Sequence, residues 1–116
     1  MRILLVEGAG ESRAKIASWL EMLRGVQVVE VTASGTEALA LLGNGNPPHF
    51  LLVDSQLADM NVFDFVRRVK AHPAAPRVVM IARVLTQRLL AAGRAAGADH
   101  GIEKAQLHKE LPQLLA

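Results

Sequence analysis

Five short apolar runs punctuate the chain: RILLV (2–6), VQVVEV (26–31), HFLLVD (49–54), RVVMIA (77–82) and HGI (100–102). Stretches with helical spacing lie between them, and this alternation constrains the fold more than any other feature. The first four runs are rich in Leu or β-branched residues and mostly lack polar alternation, as strands covered on both faces do. HGI is weak alone and draws its meaning from its place in the series.

The intervening segments carry apolar stripes. Ile16, Leu20 and Leu23 align, with Trp19 beside them and Gly25 as a stop. Ser34 is placed to cap GTEALALL, where Ala38, Leu41 and Leu42 face one way before GNGNPP ends the segment. Asn61 or Asp59 precedes VFDFVRRVK, whose Phe63, Val66 and Val69 oppose a solvated Arg67, Arg68 and Lys70. TQRLLAAGRAA closes at Gly97, and in the last helix Pro112 removes a donor and should kink or end it. Strand and helix alternating five times predict an α/β fold: a doubly wound five-stranded parallel sheet with right-handed crossovers and helices on both faces. A length of 116 residues fits one domain over 1–116, with 43–48 as a loop.

Composition removes several classes of function. Net charge is only +2, with three Phe, one Trp and no Tyr, so there is no basic, aromatic-interleaved footprint for nucleic acid. The chain has no Cys, which excludes disulfides, thiolate catalysis and cysteine zinc sites. The apolar start is too short for a signal-peptide core or a membrane span, so the expectation is a cytoplasmic protein without membrane contact. The four histidines lack ligand spacing.

In a doubly wound sheet, ligands gather beyond the carboxyl ends of the strands. Those ends carry Glu7-Gly8, Thr32, Asp54-Ser55, Ala82-Arg83 and Glu103-Lys104. Asp54 closes an apolar run, so its carboxylate should be rigidly held at the rim, and Lys104 should project from the same edge. One ammonium and the carboxylates of Glu7 and Asp54 could take Mg²⁺ through oxygen and steady a phosphoryl group. A lone Asp there could equally be a turn former, and the pair an exposed ion pair of little worth.

The segments ILLVEG…SR, LLVDSQLADMNVFDFVRRVK, RVVMIA and AAGADHGIEKAQL together resemble the receiver domains of two-component response regulators, the CheY-like family, over essentially the whole chain. The resemblance implies a flavodoxin-like sheet of order 2-1-3-4-5 and a signalling module, not an enzyme. It makes Asp54 the acceptor of a phosphoryl group from a histidine kinase or phosphotransfer protein. Lys104 becomes the phosphoryl contact, and Mg²⁺ is held by Glu7, Asp54 and the Gln56 backbone carbonyl. It also raises the region of the fourth helix, last strand and last helix as a face for a downstream protein or a homodimer.

The departures from that family are specific. Gly8 stands where a second carboxylate normally holds the metal, Ala82 where a hydroxyl normally meets the phosphoryl group, and Gly101 where an aromatic ring normally moves. Ala105 replaces a proline after the lysine; Ala58 and Val62 replace a proline and a glycine. A weakened metal site, slow phosphorylation and a muted response are therefore expected, with Arg83 as a candidate substitute phosphoryl contact.

Three other readings compete. A pseudo-receiver would bind its partner without phosphorylation. A dinucleotide-binding turn at Gly8-Ala9-Gly10, with Glu30 as the ribose acid, is opposed by Arg13 at the third small position. A hydrolase with Asp54 as nucleophile would need a second acid, for which Asp59 is nearest in sequence.

Overall fold

The computed structural model describes residues 1–116. The five strands are β1 (Arg2–Val6), β2 (Gln27–Thr32), β3 (Phe50–Asp54), β4 (Arg77–Ala82) and β5 (His100–Glu103). The helices are α1 (Gly10–Glu21), α2 (Gly35–Leu42), α3 (Val62–Ala71), α4 (Gln87–Ala96) and α5 (Leu107–Leu115), with one 3₁₀ turn at Lys104–Gln106. All strand pairs are parallel and the order is β2-β1-β3-β4-β5. The expected sheet is therefore the observed one.

Two apolar layers follow from the period of two along each strand. Leu4, Val6, Leu51, Val53, Val78 and Met80 meet α2, α3 and α4 through Ala38, Leu42, Phe65, Val66, Val69 and Ala96. Their neighbours Ile3, Leu5, Leu52, Val79, Ile81 and Ile102 meet α1 and α5 through Leu20, Leu107 and Leu111. Each large side chain so buried contributes about 1.5–3 kcal/mol. The central strand β3 is buried along its whole length, which is why HFLLVD shows no polar alternation.

Four local expectations shift. β5 extends to Glu103 because Ala82 pairs with Glu103 in register. α1 stops at Glu21, before Gly25, whose positive φ of 78° belongs to the turn that follows. Asn61 caps α3, accepting from Phe63 and Asp64 N–H, whereas Asp59 reaches back to α2 and accepts from Gly35 and Thr36 N–H and the Ser34 hydroxyl. Pro112 lies inside α5, which runs on to Leu115; its missing N–H costs one helical bond, and Leu111 and Leu114 on either side keep contact with the core. Ser34 and Thr86 cap α2 and α4 through their side chains. Gly97 ends α4 at φ 117°, a backbone state that favours glycine.

Lys70 is not simply part of a solvated face. Its ammonium lies 2.9 Å from Asp99 Oδ2 and donates to the Pro76 carbonyl. Asp99 Oδ2 in turn accepts from Val78 N–H at 2.7 Å. Burial works against the charged form of Asp99, but the Val78 and Lys70 bonds outweigh it and hold the carboxyl below its ordinary range.

Candidate functional site

An open cleft lies at the carboxyl ends of β1, β3 and β5. It is lined by Glu7, Gly8, Asp54, Gln56, Arg83 and Lys104, with Leu57, Val84 and Leu89 on its apolar side. The two acids and the lysine arrive by strand geometry. Glu7 follows β1, Asp54 ends β3, and Lys104 opens the 3₁₀ turn after β5. The parallel register that aligns these strands delivers all three to one rim.

Lys104 joins the two acids. Its Nζ lies 2.9 Å from Glu7 Oε2 and 3.4 Å from Asp54 Oδ2, and it donates to Ser12 Oγ at 3.2 Å. Glu7 is wholly buried and Asp54 only 6 % exposed. Glu7 Oε1 accepts from Ala9 N–H. Its Oε2 has the ammonium close by but no directed hydrogen bond. Two largely buried carboxylates thus share one partly exposed cation. Burial first, and the Glu7 charge second, push the Asp54 carboxyl above its ordinary range; Lys104 and the Gln56 N–H offset this only in part.

This donor set suits a hard divalent cation. Glu7 Oε2 is a buried oxygen with no directed hydrogen bond, Asp54 shares its lysine, and the Gln56 carbonyl lies close to Gly8. A Cβ at position 8 would sit 3.3 Å from the Gln56 carbonyl oxygen. Two carboxylates and a carbonyl are oxygen ligands of the kind Mg²⁺ takes, with water completing its shell. The site is poorer than a three-carboxylate one: the molecule has no cluster of three or more metal-ligating His, Cys, Asp or Glu side chains.

The positions that depart from the family pattern have definite surroundings. Ala82 is buried and presents only a methyl. The space over Gly101 is already filled, since a Cβ there would lie 2.6 Å from Leu90 Cδ1 and 3.4 Å from Leu85 Cδ2. Arg83 is exposed and enters none of the molecule's ion pairs. No peptide bond is cis, the Lys104–Ala105 bond included.

Three contacts carry no pattern in the sequence. Ser12 receives the Lys104 ammonium across 92 positions. Arg13 folds its guanidinium onto the carbonyls of Glu7 and Gly8. Glu103 accepts from Leu85 N–H at 2.9 Å. A strand-end acid such as Glu103 is visible in the sequence, but its partner is not.

The competing readings lose their residues. Glu30 is an exposed mid-strand residue of β2 rather than its end, and Arg13 covers the glycine turn, so the dinucleotide constellation is not assembled. Asp59 is bound to the start of α2 and is absent from the cleft lining, so the second acid required of a hydrolase is elsewhere. The histidines also lie away from the cleft lining: His49 Nδ1 accepts from Arg2 N–H, His72 Nδ1 from Ala74 N–H, and His100 contacts Arg77.

Comparison with known proteins agrees with this fold. A family model described as response regulator receiver domain matches residues 3–116. No curated protein matches. Among solved structures, the chain is similar to a two-component response regulator of the LuxR family from Aurantimonas sp. SI85-9A1, at 23 % identity and TM-score 0.88 over 98 % of this chain and 81 % of that one. It is similar to the response regulator domain of Thermotoga maritima CheB, at 19 % identity and TM-score 0.83, covering 99 % and 90 % of the two chains. It also resembles a structure of the P1 domain of CheA3 in complex with CheY6 from R. sphaeroides, at 25 % identity and TM-score 0.82, covering 98 % and 95 %. No helix is long and apolar enough to cross a membrane.

Proposed function

The chain belongs to the response regulator receiver domain family, and from that premise we propose that it is a signalling module whose Asp54 accepts a phosphoryl group. The donor is a phosphohistidine of a histidine kinase or phosphotransfer protein in the cytoplasm. An Asp54 carboxylate oxygen forms a bond to phosphorus while the phosphorus–nitrogen bond breaks, and the imidazole departs with the electron pair. The observation that carries this reading is the Lys104 ammonium set between Glu7 and Asp54 in a cleft open to a partner. Glu7, Asp54 and the Gln56 carbonyl are the oxygens that would hold Mg²⁺, which would supply positive charge against the transferring group.

Three features make phosphorylation and the response to it weak. With Gly8 the site would hold a metal less tightly, leaving the repulsion between its two carboxylates and a dianionic donor less well neutralised. Ala82 supplies no hydroxyl to a phosphoryl oxygen, and the place of a mobile ring at 101 is filled by Leu85 and Leu90. Phosphorylation at Asp54 is accordingly slow, with little movement in β4–α4. Output contacts use the region of α4, β5 and α5, where Arg88, Ala91, Arg94 and Ala95 are exposed. Filling of the Gly101 space also supports a second reading, a pseudo-receiver that engages its partner in one fixed state. Phosphotransfer from a panel of kinases, comparing the native chain with Asp54→Ala, separates the two. Asp54-dependent labelling supports the acceptor, and its absence with every donor, acetyl phosphate included, leaves the pseudo-receiver.

A further inference from the structure

The segment between β4 and α4 is fastened at both ends. Ala82 is fixed by its pairing with Glu103 in the sheet. Three residues later, Leu85 N–H donates to the Glu103 carboxylate at 2.9 Å, and the Leu85 side chain turns inward with Leu90 to cover Gly101. Only Arg83 and Val84 lie between these anchors. Both are exposed, Val84 at 66 %, and both line the Asp54 cleft. A two-residue span tied down on each side has few backbone states left, so little ordering entropy opposes a contact made from it.

Charge in the cleft gives this placement a use. A phosphoryl group brings about two negative charges and three acceptor oxygens. The single lysine already faces Glu7 at 2.9 Å and Ser12 at 3.2 Å. Ala82 offers no donor. Arg83 has no carboxylate partner to leave, and a guanidinium's planar donors match phosphoryl oxygens.

We propose that Arg83 contacts the phosphoryl oxygens at Asp54, and that Glu103 is a positioning residue which holds Arg83 at the cleft through Leu85. This rests on Asp54 being a phosphoacceptor. The geometry replaces a missing hydroxyl inside the site with a cation fixed at its mouth.

Binding of beryllofluoride with Mg²⁺ to the full chain, followed by fluorine NMR and calorimetry, tests it, with Mg²⁺ alone titrated in parallel. Arg83→Ala weakens beryllofluoride binding about tenfold, the size expected for a lost charge-assisted bond, and Arg83→Lys restores part of it. Glu103→Ala weakens it about threefold, and the double variant is no weaker than Arg83→Ala, because Glu103 acts only through Arg83. Mg²⁺ affinity stays unchanged in every one of these variants, which a general loss of structure would not allow. Native affinity in Arg83→Ala, or additive losses in the double variant, overturns the proposal while leaving the acceptor intact. Absence of Asp54-dependent binding in the native chain removes the acceptor reading and this proposal together.

Discussion

Asp54 ends β3 and Asp99 immediately precedes β5 in the same sheet, and their surroundings are opposite. Asp99, at the amino edge, accepts from Val78 N–H and faces Lys70, with no second acid in the group. Asp54, at the carboxyl edge, shares Lys104 with buried Glu7. The carboxyl of Asp99 is held low and that of Asp54 is pushed high. A carboxylate whose demands are met locally is a fastener. One that is buried beside another acid stores unfavourable energy that a cation or a covalent modification can release, so the same residue type marks architecture at one edge and chemistry at the other.

Replacing Lys104 with Met should give the largest change, because two crowded acids then lose their only close cation. Partial exposure of the lysine moderates the loss to about 3 kcal/mol in urea denaturation; a loss too small to resolve would show that the acidic end does not depend on it. Asp99→Ala comes next, at about 2 kcal/mol, since Val78 N–H is left without its acceptor. If that variant unfolded at the native midpoint, the fastener description would be wrong. Asp54→Asn should move stability the other way, raising it by about 1 kcal/mol at neutral pH as one buried like charge is removed. A destabilised Asn variant would end the contrast between the two edges.

The smallest effect is the pH dependence of these differences. The Asp54 carboxyl is raised in the fold, so ionising it costs stability that reappears as pH falls from its folded value to the ordinary 3.8. The advantage of Asp54→Asn should therefore shrink across that interval. The Asp99 carboxyl is lowered, so its contribution is complete above 3.8 and fades as pH drops from there toward its folded value. The deficit of Asp99→Asn should close only in that more acidic interval. Denaturation midpoints of both variants across the acid range check the order; closure in the same interval would contradict it.

Much of the fold could be read in advance because burial on both faces leaves a plain trace: β3 is apolar throughout, and the five runs recur at regular intervals. Asp54 and Lys104 were legible for a related reason, since each ends or follows such a run and strand ends converge. The Glu103–Leu85, Ser12–Lys104 and Arg13–Glu7 contacts were not, because each depends on where a flexible polar side chain settles after folding, and no periodicity records that. Asp59 shows the limit clearly. Its local role as a cap for α3 was a fair inference, but folding brings the start of α2 closer and Asn61 takes the nearer post.

The filled space over Gly101 also limits which side chains this position can accept. A methyl at 101 needs only that the end of Leu90 turn aside, but a ring needs both leucines displaced, and Leu85 is tied by its backbone to Glu103. An aromatic side chain is not accommodated there while both leucines keep their places. Admitting a ring at this position therefore calls for several substitutions together, and the packing shields the glycine from piecemeal change.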